Sequence, residues 1–304
     1  MDKNYSAQKK LGLLILPFFA AFFIMGTFFD KTAAEALFSP DFVPAKLLTT
    51  LGVYPFYAAQ VFFWGALSER AIHSDKSKAF RAALCIIFVL SALLIGFIGG
   101  KSMTGKNNLG SIYPSLIGNI PAIIISGLIL EYPLFLAGYL ASKKSQDKLL
   151  VKRIIVLFAV LLAAYLSLEL LKNLFDRPRY RTAVLGYEGI GFVPWYTPFA
   201  GADTYAAEYG LPADEFRSFP SGHSLFSSLT MCIFPSLAWV FPKLRDKQLR
   251  LFLGGLFFCL VIMLTRMILG AHYLSDVSAG AITGTLSAIL FYALQLRISK
   301  SSKQ

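Results

Sequence analysis

Apolar residues run in eight long stretches, near residues 12–29, 50–68, 82–100, 120–141, 153–176, 221–241, 250–269 and 274–296, separated by shorter polar segments. Each is about as long as the 17–25 residues a helix needs to cross a bilayer. The pattern predicts an all-α, polytopic membrane helix bundle. It reads as one integral membrane domain over 1–304, with N-terminal helices in 1–141 and a core in 153–297 that gathers the polar chemistry. The first run holds about 18 apolar residues, longer than the roughly 7–15 of a secretory signal core, and so reads as an uncleaved first helix. The longest polar interruption, 180–219, is too polar to span and too long for a simple connector. It is expected to be an ordered cap with a short helix near 203–210.

Composition supports this reading: 56% of residues are hydrophobic and 15% aromatic, and the mean hydropathy is +0.61, beyond the range of soluble globular chains. A net charge of +12 would by itself suit nucleic acid as a partner, but its distribution argues for the bilayer instead. If the N-terminus is cytoplasmic, the inner segments hold 19 of the 29 basic residues, from Lys3 through Arg153 to Lys303. The positive-inside rule then places both termini in the cytoplasm and the polar motifs on the extracytoplasmic side of a multi-pass cell-membrane protein. Cys85, Cys232 and Cys259 fall inside predicted spans without ligand spacing and read as packing thiols. No metal site and no cofactor is implied.

Three short stretches carry the chemistry. They are Lys172 with Arg179, then Pro220-Ser221-Gly222-His223, then Arg266 followed by His272 and Asp276. Two of the chain's three histidines fall inside them. Lys172, Arg179 and Arg266 can neutralise phosphoryl oxygens, arginine as a planar fork and lysine as a compact charge. Ser221 can cap the helix that opens after the loop, and Gly222 lets backbone approach an anion. His272 and Asp276 stand one helical turn apart, so the carboxylate is expected to accept from one ring nitrogen and leave the other as nucleophile. His223 is then left for general acid and base work. Glu169 and Asp176 are expected to pair with Lys172 along its helix. His272, Asp276, Gly280 and Gly284 recur every four residues, so this face is expected to pack inside the bundle, with a homodimer contact through the same glycines as the competing reading.

Together these residues resemble the type 2 phosphatidic acid phosphatase (PAP2) superfamily, whose pattern is Lys-x6-Arg-Pro, Pro-Ser-Gly-His and Ser-Arg-x5-His-x3-Asp. The resemblance covers Lys172 to Asp276. It implies phosphate contacts for Lys172, Arg179, Ser221, Gly222 and Arg266, a general acid at His223, a nucleophile at His272 and an orienting role for Asp276. Tyr180 and Thr265 depart from the pattern. Arg177-Pro178 offers an Arg-Pro dipeptide in another register, with Leu170 where lysine is expected, so Arg179 is assigned and Arg177 held in reserve. The family's usual six helices imply two extra helices at the N-terminus.

The expected activity is a metal-independent phosphatase of membrane lipid phosphates or diphosphates, working through a phosphohistidine. Polyprenyl diphosphate is slightly favoured, with phosphatidylglycerol phosphate and phosphatidic acid as alternatives. A lipid phosphotransferase, a phosphatase of small soluble phosphates and a non-catalytic anionic-lipid transporter or binder are the competing functions.

Overall fold

In hydrocarbon an apolar run can satisfy its backbone only through its own hydrogen bonds, and each run accordingly folds as helix. The computed structural model describes residues 2–302, and among them there is no strand. Helix α1 (Asp2–Leu37) opens with Asp2 in its first turn, where the helix dipole favours an acid. At 1.5 Å per residue it is about 54 Å long, well beyond the roughly 30 Å of a bilayer core. Helices α2 (Val43–Leu51) and α3 (Tyr54–Ile72) each start with a proline in the first turn. Helix α4 (Lys78–Thr104) is capped by Ser77, whose side chain accepts from the Phe80 amide. The stretch near 120–141 is not one regular helix. It runs as α5 (Ile120–Ser126), a π-helical turn at Gly127–Glu131, and α6 (Tyr132–Lys143).

Helix α7 (Leu150–Phe175) stops at Asp176, which takes a left-handed φ of 39°. Short helices α8 (Tyr180–Ala183) and α9 (Ala202–Glu208) follow, then α10 (Gly222–Ser228), α11 (Thr230–Ser236), α12 (Gln248–Ile268) and α13 (Leu274–Ser301). Between α8 and α10 the chain has a small apolar core of its own, where Ile190, Ala202 and Phe216 are buried beneath Tyr187, Phe199 and Tyr205.

Six helical stretches among the described residues are long and apolar enough to cross a membrane: 2–37, 78–111, 120–143, 150–183, 242–268 and 274–301. The other two stretches expected to span, 50–68 and 221–241, are also helical but are built for the interior. Most of α3 is buried, including Glu69. The 221–241 stretch breaks between α10 and α11, and Pro235 lies inside α11. Its hydroxyls turn back onto the local backbone, as in Ser228 to the Leu225 carbonyl (2.7 Å) and Ser236 to the Cys232 carbonyl (2.7 Å). A segment enclosed by other helices needs no lipid-facing apolar surface, which is why these two read differently from the rest. The enclosing helices do show such a surface, with Leu14, Phe28, Leu170 and Phe257 largely exposed.

Helix α13 packs against α1, α7 and α10. Its glycine stripe meets α10: a Cβ at Gly280 would overlap the Ser221 carbonyl, and one at Gly284 would overlap Ser228 Oγ. The stripe is therefore covered within the chain, which fixes the start of α10 against the start of α13. At the opposite end α1 is tied to the start of α12, with Gln8 Nε2 donating to the Gln248 carbonyl (3.0 Å). There Arg153 is buried, pairing with Asp147 (3.0 Å) and donating to Tyr5 Oη (2.6 Å). The start of α1 and the end of α13 thus share one end of the bundle, and all three chemical motifs share the other.

Candidate active site

Helix α7 delivers Lys172 in its last turn, and the extended residues after Asp176 send two arginines in different directions. Arg177 is saturated by acids. It donates to Asp276 Oδ1 (2.6 Å), Asp30 Oδ2 (2.9 Å) and Ser275 Oγ (2.9 Å), and its guanidinium lies over the Tyr273 ring at 3.9 Å. Arg179 instead reaches the histidine. It donates to Asp214 Oδ2 (2.9 Å) and the Ala271 carbonyl (3.0 Å), and its Nη1 lies 3.3 Å from His272 Nε2. Both guanidiniums are held by protein acceptors, Arg179 Nε also donating to the Asp214 carbonyl (2.9 Å), but Arg179 is the one that borders the His272 ring and lines the cavity.

His272 precedes α13 and is buried. Its Nδ1 meets the Ser218 carbonyl at 2.7 Å, whereas Asp276 Oδ2 is 3.8 Å away. The direct ring-to-carboxylate hydrogen bond expected from the spacing is not made, because α13 begins at Leu274 and leaves the histidine outside the helix. Asp276 Oδ2 instead accepts from Ser218 Oγ (2.6 Å) and the Tyr273 amide (2.8 Å), so it braces the segment whose carbonyl holds the ring. A carbonyl can only accept, so Nδ1 carries the proton and Nε2 keeps its lone pair. Burial, opposed by Asp276 and reinforced by Arg179 and Arg266, lowers His272 to about 3. The imidazole is neutral near pH 7.

Arg266, at the end of α12, is buried. It donates through Nη1 to Thr49 Oγ1 (3.0 Å) and the Asn107 carbonyl (3.2 Å). Its Nε and Nη2 are buried with no partner. Buried donors are nearly always satisfied in a folded protein, so two free ones on a cavity-lining arginine are unusual. Gly222 opens α10 beside Lys172, and a Cβ there would stand 3.2 Å from Leu168 Cδ2 and 3.9 Å from Lys172 Nζ. Ser221 caps the helix, its Oγ accepting from the Ser224 amide (3.3 Å). Ser221 and Asp276 support the site from behind. Lys172, Arg179, Gly222, His223, Arg266 and His272 line a single cavity of about 530 Å³.

Several residues that build this site carry no motif. Asp214, from the cap, neutralises Arg179 and also accepts from Asn107 Nδ2 (2.8 Å). Burial alone would raise the Asp214 carboxyl, but Arg179, Lys172 and Lys106 hold it well below the usual carboxylate range. Asn108 meets His223, with 2.9 Å between Oδ1 and Nε2. Glu169 does not pair with Lys172 as expected, because Arg217 reaches it first at 2.9 Å. Asp176 terminates α7 instead of flanking the lysine on a continuing helix. Asp30 lies just past the apolar run 12–29, beside Lys31, where a charged residue is ordinary, so its local sequence did not mark it.

Residues 153–300 match the family described as the PAP2 superfamily. Residues 153–300 are a PAP2-type phosphatase region. The matched region contains every motif from Lys172 to Asp276, while α1 to α6 lie outside it. Among curated proteins, the chain is similar to lipid A 1-phosphatase of Rhizobium johnstonii, at 26% identity over 243 residues, 75% of this chain and 89% of that protein. It is also similar to lipid A 1-phosphatase of Rhizobium etli, at 31% identity over 156 residues, 51% of this chain and 57% of that protein. No solved structure gives a significant match. With six spanning-length helices among the described residues, the protein is a multi-pass membrane protein.

Proposed function

We propose that this phosphatase removes the 1-phosphate of a lipid A-type lipid through a phosphohistidine on His272. The observation that carries the chemistry is the pair of unpartnered Arg266 donors sharing one cavity with a neutral His272, whose Nε2 lone pair lies 3.3 Å from Arg179. In this mechanism Nε2 attacks phosphorus and the bond from phosphorus to the lipid oxygen breaks. His223, as imidazolium, gives its proton to that leaving oxygen. Lys172, Arg179 and Arg266 hold the three peripheral oxygens as charge shifts between them. His223 then takes a proton from water as the water attacks the phosphohistidine, which releases orthophosphate and restores neutral His272.

The substrate class rests on the relatives' names and on the shape of the cavity. Its lining includes the apolar or aromatic Val53, Tyr57, Ile98, Tyr165, Leu168 and Phe226, which suits a lipid entering from the bilayer. Polyprenyl diphosphate is the second reading. It is favoured by one further cation on the cavity wall, Lys101, which could face a second phosphate. The extracytoplasmic orientation of the site is supported by the basic residues of the opposite end, which the positive-inside rule assigns to the cytoplasm.

The test is phosphate release by the detergent-purified protein in chelator, wild type beside His272→Ala, against lipid A, polyprenyl diphosphate, phosphatidylglycerol phosphate, phosphatidic acid and glucose 6-phosphate. Fastest release from lipid A, abolished in the variant, is the expected result. Equal turnover by wild type and His272→Ala would overturn the phosphohistidine. Preference for the diphosphate would select the second reading. Loss of all turnover in chelator would end the metal-independent mechanism.

A further inference from the structure

The loop after α4 lies far outside the matched PAP2 region, yet it enters the active cavity. Asn107 and Asn108 are wedged there between the cations and the catalytic histidines. Asn107 is held by three arms of the site: its Nδ2 donates to Asp214 Oδ2 (2.8 Å), its Oδ1 accepts from Arg181 Nη2 (2.9 Å), and its carbonyl accepts from Arg266 Nη1 (3.2 Å). Asn108 is buried and its amide is used at both ends. Nδ2 donates to the Ser102 carbonyl at the end of α4 (2.7 Å), and Oδ1 faces His223 Nε2 at 2.9 Å. A flipped amide would set two oxygens against each other at Ser102, so the carbonyl end is the one His223 meets. An amide oxygen accepts only, which puts the ring proton on Nε2. Nδ1 makes no hydrogen bond.

We infer that Asn108 is a positioning residue for the general acid and base. It fixes His223 in the Nε2–H tautomer, in one ring plane, so that Nδ1 is the atom that gives and takes the proton. The amide supplies this without charge, which matters because the groups acting most on His223 from the other elements are Arg266 on α12, His272 before α13, Arg179 and Lys172 on α7, in a cavity also lined by Lys101, Lys106, Glu169 and Asp214. A carboxylate at position 108 would instead favour the imidazolium and weaken the base half of the cycle. The inference rests on the phosphatase reading for its catalytic meaning, but the tautomer can be observed without turnover.

The experiment is nitrogen NMR of the full chain in detergent, labelled at histidine, which gives only three residues to resolve. His223→Gln assigns the signal. Wild type should show a protonated Nε2 on neutral His223, and Asn108→Ala should lose that preference. In the same preparations Asn108→Ala should lower kcat about 10- to 100-fold, a share of the 10²–10⁴ that acid-base catalysis supplies, with KM within about twofold. Asn108→Asp should move the alkaline limb of kcat up by about one pH unit, a shift that loss of packing would not give, and it carries the test if the alanine variant does not fold. An unchanged His223 tautomer in Asn108→Ala, or kcat within twofold of wild type, would overturn the assignment. A wild type with the Nε2–H signal that releases no phosphate from any lipid would sink the phosphatase reading and leave the assignment standing.

Discussion

Asp30 lies on α1, in the half of the chain without motifs, and its replacement tests whether that helix belongs to the site. Its Oδ2 accepts from Arg177 Nη2 (2.9 Å) and from the Ser275 hydroxyl, and its Oδ1 accepts from the Ser275 amide (2.8 Å). Asp30→Ala removes all three contacts and leaves a buried guanidinium with one carboxylate. Breaking a buried ion pair from one side costs about 3–5 kcal/mol, and because Asp276 keeps its contact to Arg177 the lower figure applies, about 3 kcal/mol. Asp30→Asn keeps the shape and one acceptor. Exchanging charged for neutral hydrogen bonds should then cost about 1–2 kcal/mol. At ~2–4 °C per kcal/mol for a chain of this size, thermal unfolding in a fixed detergent should fall by about 6–12 °C for alanine and about 2–8 °C for asparagine. The freed Arg177 would also pull on Asp276 and, through Ser218, on the carbonyl that sets His272, so kcat should fall more than KM rises. An alanine variant melting within 2 °C of wild type, with unchanged kcat, would refute the idea that α1 braces the site.

Other outcomes follow from single contacts. In the substrate-free protein, NMR titration should find His272 neutral from pH 8 down to about pH 4, since burial places its transition near 3; a midpoint near 6.5 would show an open, solvated ring. Gly280→Ala should force α13 away from α10, costing about 1–3 kcal/mol of overpacking strain and lowering kcat, because Ser221 donates its amide to the Asp276 carbonyl at 3.0 Å across that contact. Unaltered melting and turnover would mean that the two helices can part freely. Glu131 is fully buried in the π-helical turn with neither carboxylate oxygen partnered. Its replacement by Met should therefore raise stability by about 1–3 kcal/mol, and a destabilised variant would reveal a contact that the carboxyl makes.

The motif residues that meet in the cavity were readable in the sequence because each part is local. Pro220 to His223 and Arg266 to Asp276 are short segments in which residue type and spacing already imply the chemistry. The supports were not readable, because they are long-range and use ordinary residues. Asp30 meets Arg177 across 147 positions and Asn108 meets His223 across 115. Nothing about an asparagine in a polar turn distinguishes it from a loop residue. The helical spacing of His272 and Asp276 misled for a related reason: a period of four implies contact only if the helix has begun, and Leu274, not His272, is its first residue. The same limit applies to the spans. Hydropathy detects a lipid-facing surface, so it separates α4 or α12 cleanly from solvent but treats the enclosed α3 and the broken α10 and α11 as if they too met lipid.

The bond from Asp30 through Arg177 to Asp276 also bears on how this protein can be divided. The region shared with the superfamily begins at residue 153, and a gene fragment or chimera cut there would look like a complete module on paper. It would expose Arg177 without Asp30, Arg266 without Thr49 and His223 without Asn108. The unit that can be transplanted, split or inherited intact is therefore larger than the unit that is recognisable. Exchanges between relatives should preserve activity only when α1, α2 and the loop after α4 travel with the C-terminal helices they complete.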